Sequence, residues 1–269
     1  MATPIKVVFL DLTGTLIERD RWLDGAIQTI KWLNSKSFEI RYVTNITLKN
    51  RAQLKNQFQA MGVAASEEQF FTPSRAAYNW FRNRGVEENL LPLVHPDLLH
   101  DLEGLRLTGE PVADFVLVGD MGDWWQIDKL NVALRALLGG ARLTALQKGR
   151  SWLAPDGYRM DAGSFVAALE YAANVKCDLV FGKPNPVFFE MALRDAGISP
   201  DNALMVGDDL ENDYLAPSRL GVRTVLVRTS SQDPSEKSRA GMVSHPEVDP
   251  RNMIGGIEGL PEWISKTAR

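Results

Sequence analysis

Cysteine is almost missing from this chain: Cys177 is the only one in 269 residues. An intramolecular disulfide is therefore excluded, and a reducing compartment is expected. Long apolar runs are missing as well. None approaches the roughly 20 residues that a membrane helix needs, so no membrane partner is expected. The first residues, Met1 to Lys6, lack the apolar core of a secretory signal, and a cytoplasmic location is expected. Positive charge is not in excess. Lys and Arg number 30 against 34 Asp and Glu, and the pI is about 5.5, so no basic field points to nucleic acid. Histidine is scarce too. His95, His100 and His245 have no partners at metal-ligand spacing and read as structural or exposed. What is present, 45% hydrophobic and 24% charged residues, is ordinary for a globular protein. The length allows one large or two smaller domains.

The clearest stretch lies near the start. Lys6 to Leu10 is a short apolar run of the kind a buried parallel strand makes, and it ends abruptly in Asp11-Leu12-Thr13-Gly14-Thr15. A carboxylate there sits at the strand's carboxyl end, where open α/β sheets place ligands. Gly14 lets the backbone turn, and Thr13 and Thr15 offer hydroxyls and amides to an anion. By itself the stretch reads equally well as a strand followed by an ordinary polar turn.

The rest of the chain alternates. Helical spacing marks 25–33, 51–61 and 72–84, a strand is read at 38–43, and Phe70-Phe71 is a brief apolar step. The middle third gives strands at 90–94, 114–118 and 143–146, with helices at 97–105, 125–138 and 164–173. The stretches 16–24 and 147–163 read as irregular. Strands at 179–181, 203–206 and 222–227 follow, with helices at 186–196 and 214–220. Residues 230–258 read as loop, and a terminal helix at 260–266 is expected to dock through Trp263. This alternation predicts a parallel sheet with right-handed crossovers, an α/β fold.

Four strand ends carry polar groups: Asp11 with Thr13, Thr44 with Asn45, Lys183, and Asp208 with Asp209 and Asp213. Each has a plain explanation alone, as a strand end, a loop lysine or an acidic helix start. Together they fit one chemistry. Asp11 and Asp208 with a backbone carbonyl make a hard oxygen site that suits Mg²⁺, whose remaining ligands come from water and a substrate phosphate. Thr44 and Lys183 add a hydroxyl, an amide and a positive charge for phosphate oxygens. An oxygen of Asp11 is then placed to attack phosphorus and form an aspartyl-phosphate.

In these four motifs, over nearly its whole length, the chain resembles the haloacid dehalogenase superfamily of phosphohydrolases. The resemblance implies a Rossmann-like core, residues 1–77 and 179–269, with a large α/β cap inserted at 78–178. The inserted segment has the length and position of such a cap, and Asp114 to Gly119, Lys148 to Arg150 and Phe165 to Tyr171 look closest to one branch of the superfamily. The resemblance also implies that Asp11 is the nucleophile. Mg²⁺ would be bound by Asp11, the Thr13 carbonyl and Asp208, supported by Asp213, with Thr44, Asn45 and Lys183 at the phosphate. Trp152 falls where relatives place a substrate contact, though cap packing explains it equally well. A homodimer through the cap is implied by the resemblance alone. A second Gly-Asp turn, Gly119-Asp120, mimics Gly207-Asp208. Chain order and the following Asp213 favour Asp208 as the ligand.

One position departs from the pattern. Most phosphatases of the superfamily carry a second Asp two residues after the nucleophile, as general acid and base, and here it is Thr13. A hydroxyl is a poor proton donor at neutral pH. The expected activity is thus Mg²⁺-dependent phosphatase action on a small phosphorylated substrate with a good leaving group, such as pyrophosphate, a phosphoramidate or an aryl phosphate. The alternatives are a weakly active or non-catalytic Mg²⁺ and phosphate-binding protein and, less favoured by the Asp208 site, a dehalogenase.

Overall fold

The computed structural model describes residues 3–84, 87–154, 156–228 and 245–267. The chain divides into two compact units. The first comprises Met1–Thr44, Leu54–Phe71 and Ala192–Arg269; the second comprises Asn45–Gln53 and Thr72–Met191.

The first unit is built on a six-stranded sheet. Its order is Met253–Ile254, Arg223–Val227, Ala203–Gly207, Val7–Asp11, Glu39–Val43 and Phe70–Phe71. Every neighbouring pair is parallel. Val7–Asp11 lies in the middle and is buried along its length, as a run apolar on both faces requires. The helix Ala26–Ser35 turns Ala26, Thr29, Ile30 and Leu33 inward. It is tied to the carboxyl-terminal region by the Thr29 hydroxyl, which donates to the Ile257 carbonyl at 3.1 Å. Tyr42, Phe58 and Phe70 pack ring to ring, with Phe58 centroids 4.7 and 5.0 Å from the other two.

The second unit has its own parallel sheet, in the order Leu179–Val180, Arg142–Ala145, Phe115–Val118 and Leu90–Leu93. The helices Ile127–Leu138 and Ala162–Ala173 join these strands in one apolar core through Ala133, Ala136, Leu137, Val166 and Leu169. Asp161 caps the second of these helices, accepting from the Ala162 amide at 2.7 Å. The parallel α/β architecture is therefore the expected one.

Four local expectations need correction. Residues 16–24 contain a hairpin, Ile17–Glu18 against Arg21–Trp22. Its two-residue turn puts Arg19 and Asp20 at φ 47° and 60°, conformations that such turns usually assign to Asn-Gly. Residues 147–163 contain a second hairpin, Ser151–Ala154 against Gly157–Met160. Its second strand is exposed or half-buried throughout, so no apolar alternation marks it. The expected helix at 214–220 is instead a wide π-helical turn, Leu210–Leu215, followed by the short Ala216–Ser218. Residues 245–258 are not featureless, since Met253–Ile254 adds the sixth strand to the main sheet; the remainder of that expected loop, 230–244, lies outside the described residues. The terminal helix Leu260–Thr267 buries Leu260 and Ile264. Trp263 is half-buried and donates its indole N–H to the Arg251 carbonyl at 2.9 Å.

Candidate active site

Strand register assembles the acidic residues. Leu10 pairs with Val206 and Asp11 with Val43. Parallel neighbours lie roughly 4.8 Å apart, so Asp11, Thr44 and Asp208 emerge from three adjacent strands at one carboxyl edge. Asp208 directly follows its strand, and Asp213 returns to it from the π-helical turn. Wide turns of this kind recur at functional sites. The Asp209 carboxylate accepts from the Asn212 amide at 2.7 Å, and the Asp209 amide donates to the Asp213 carboxylate at 3.2 Å. The turn's own backbone thus orients Asp213.

All three carboxylates are buried: Asp11 is 6% exposed, Asp208 3% and Asp213 1%. One oxygen from each lies within 4.8 Å of the others. Among the described residues this is the only group of three or more acidic, His or Cys side chains so arranged. Three buried negative charges at this spacing repel strongly, and a cation among them relieves both repulsion and desolvation. The donors are all hard carboxylate oxygens, the chemistry that fits Mg²⁺.

The loop after Asp11 is shaped around Asp208. Gly14 has φ 86°, and a Cβ placed on it would fall 2.4 Å from an Asp208 carboxylate oxygen. Only glycine satisfies both the left-handed backbone and the approach. Thr15, fully buried, donates its hydroxyl to Asp208 Oδ1 at 3.0 Å. Sequence reading gave Thr15 an anion-binding hydroxyl; the structure gives that hydroxyl a carboxylate partner 193 residues away. A hydroxyl in a turn carries no sequence signal for so distant a partner. Thr13 is exposed and bridges to Ile17. Thr44 is buried, and its amide donates to the Phe71 carbonyl at 3.3 Å.

In the second unit, Asn45 and Lys183 come together. The Asn45 side chain accepts from the Lys183 amide at 2.8 Å and donates to the Lys183 carbonyl at 2.9 Å. Lys183 is 6% exposed. Among the described residues, Asp120 shares no metal-ligand group. It is buried in the second unit, where its carboxylate accepts from the Gly122 amide at 2.9 Å and its amide donates to the Thr47 hydroxyl at 3.4 Å. Trp152, half-buried, sits in the Ser151–Ala154 strand opposite Arg159. Nearby, burial pushes the Asp161 carboxyl above its ordinary range, and the Asp120 charge adds to this. Its bonds from the Ala162 amide and Gln147 partly offset the shift.

Known proteins resemble this chain in sequence and in fold. A family model described as "Haloacid dehalogenase-like hydrolase" matches residues 8–108, and one described as "HAD-hyrolase-like" matches residues 180–249. The chain is 32% identical over 263 residues to phospholysine phosphohistidine inorganic pyrophosphate phosphatase of Xenopus laevis, covering 95% of this chain and 93% of that one. It is 36% identical over 235 residues to haloacid dehalogenase-like hydrolase domain-containing protein 2 of Rattus norvegicus, covering 87% and 88%. In fold it matches a p-nitrophenyl phosphatase from Archaeoglobus fulgidus with a TM-score of 0.86 at 22% identity, over 97% of this chain and 99% of that one. The chain belongs to the haloacid dehalogenase-like hydrolase family.

Proposed function

We propose that the protein is a Mg²⁺-dependent phosphatase that acts through Asp11 on a small phosphorylated substrate with a good leaving group. The observation that carries this reading is the buried trio of Asp11, Asp208 and Asp213, with oxygens within 4.8 Å at the carboxyl edge of the parallel sheet. Asp11, Asp208, Asp213 and the Thr13 carbonyl would hold the ion. When bound, Mg²⁺ supplies positive charge against the phosphoryl oxygens.

The remaining steps belong to side chains. An Asp11 carboxylate oxygen attacks phosphorus, the bond to the leaving group breaks, and an aspartyl-phosphate forms. Water then cleaves that acyl phosphate and returns Asp11. Lys183 contributes its ammonium charge and Thr44 its hydroxyl to the transferring group. Residues 78–178 act as the cap that sets substrate choice, with Trp152 as a substrate contact. A cytoplasmic location and dimerisation through this cap complete the proposal; light scattering checks the latter.

Thr13 shapes the substrate class. Its hydroxyl hydrogen-bonds a departing group but does not readily protonate it. Pyrophosphate, phosphoramidates and aryl phosphates lose little from this, because their leaving groups are stable anions or are protonated beforehand. The same residue favours the second reading, a site that binds Mg²⁺ and phosphate with little turnover. Hydrolysis of para-nitrophenyl phosphate with and without Mg²⁺ separates them. Turnover that needs Mg²⁺ supports the phosphatase; Mg²⁺ binding without turnover supports the second reading; turnover indifferent to Mg²⁺ refutes both.

A further inference from the structure

Lys183 stands in a loop, Gly182 to Asn185, just past the two-residue strand Leu179–Val180. Sheet pairing holds the chain only as far as Phe181, whose amide donates to the Ala145 carbonyl at 2.8 Å. Beyond that point the Lys183 amide and carbonyl are out of the ladder. Both are nevertheless satisfied by one side chain, the Asn45 amide, which pairs with them at 2.8 and 2.9 Å as a second strand would. The orientation of the Asn45 amide follows from its partners, because an N–H faces its oxygen and a carbonyl faces its nitrogen. Gly182 keeps the approach open: a Cβ there would fall 2.6 Å from the Leu146 carbonyl oxygen and 2.8 Å from Asn45 Oδ1.

Asn45 itself lies in a segment with anchors of its own. The segment that carries it is anchored by Arg51, whose amide donates to the Asp101 carboxylate at 3.3 Å, and by Asn50, whose side chain donates to the Asp97 carbonyl at 2.9 Å. Asp101 is buried and accepts in turn from the Ser74 hydroxyl at 2.7 Å. A polar network thus holds the segment at residues 50 and 51, and Asn45 ties the same segment to Lys183.

We infer that Asn45 is a positioning residue for Lys183, acting by a two-point clamp on its main chain rather than as a phosphate ligand through its side chain. The inference rests on the proposed role of Lys183 at the transferring phosphoryl group. A lysine ammonium sits on a four-carbon stem and is aimed only as well as its backbone is held. With the clamp gone, the loop's two buried polar groups seek other partners and the ammonium loses its aim. Losing a partner that orients a metal ligand typically costs about 10–100-fold in activity, and a loss of the same order is expected for this lysine.

The test is a double-mutant cycle on para-nitrophenyl phosphate turnover, with Asn45→Ala, Lys183→Met and the pair. Asn45→Ser runs in parallel as a smaller polar replacement, too short to span both groups, should Asn45→Ala fold poorly. Asn45→Ala is expected to lower kcat/KM about 10–100-fold in the parent and less than twofold in the Lys183→Met background. The Mg²⁺ concentration giving half-maximal rate should not move. Amide exchange at Lys183 should quicken in Asn45→Ala. A loss of equal size in both backgrounds would show that Asn45 acts on the substrate by itself and would overturn the inference while leaving the phosphatase reading intact. Unchanged exchange at Lys183 would also overturn it. A parent with no Mg²⁺-dependent turnover would overturn both.

Discussion

Replacing Thr15 by Val tests how the site is held together. The two side chains have nearly the same shape, so the change removes one hydroxyl and little else. That hydroxyl is fully buried and meets an Asp208 carboxylate that is 3% exposed, at 3.0 Å. A hydrogen bond to a charged group contributes about 1.5–3 kcal/mol, and the substitution removes one from Asp208. At about 2–4 °C per kcal/mol for a chain of this size, the melting temperature should fall by roughly 3–12 °C. By linkage, the variant should gain less stability than the parent from the same concentration of Mg²⁺ if Thr15 orients a ligand of the ion. Its Mg²⁺ affinity should be about 10–100-fold weaker, the usual consequence of removing a partner that orients a ligand. Calorimetric melts with and without Mg²⁺, and Mg²⁺ titration of the unheated proteins, give both quantities. A melting point within 1 °C of the parent and an unchanged Mg²⁺ affinity would refute the claim that Thr15 orients Asp208.

Asp208→Ala should weaken Mg²⁺ binding far more than Asp120→Ala, since only Asp208 shares the trio; the reverse order by titration calorimetry would place the metal at the wrong Gly-Asp turn. Thr13→Asp should help alkyl phosphates most and flatten the dependence of kcat/KM on leaving-group pKa, by up to the ~10²–10⁴-fold that general acid help supplies. A shallow slope in the parent, unchanged in a folded variant, would show another residue acting as the acid. Asp161 offers a pH test, because burial raises its carboxyl above the unfolded value of about 3.9. Its contribution to stability is therefore full below that value and is lost as pH rises through the raised folded value. Asp161→Asn removes this loss, so urea melts should show the variant gaining on the parent between pH 4 and pH 7; a constant difference across that range would contradict the assignment.

The parts of the fold legible in the sequence are those that physical pattern controls directly. The Val7–Asp11 run is apolar because both its faces are covered, and its end is abrupt because Asp11 meets the sheet's open edge. Ala203–Gly207 repeats that pattern beside it. From these two strands the pairing of Asp11 with Asp208 follows. The hairpins at 17–22 and 151–160 were hidden for opposite reasons. One turns on Arg19 and Asp20 in conformations that neither residue advertises, and the other has a strand with no buried face to impose alternation. The Thr15 to Asp208 bond and the Asn45 clamp join residues 193 and 138 positions apart. Single residues at such separations leave no periodicity, so only the assembled chain brings them into view. Gly14 was legible as a turn; its second duty, leaving room for Asp208, was not.

The most direct test of the central claim is turnover of para-nitrophenyl phosphate by Asp11→Asn in saturating Mg²⁺. Asn keeps the size and hydrogen-bonding shape of Asp but lacks the nucleophilic carboxylate oxygen and its charge. The parent should show Mg²⁺-dependent turnover, and the variant should melt near the parent and show none above background. Activity within about tenfold of the parent, a barrier difference of only ~1.4 kcal/mol, would contradict Asp11 as the nucleophile.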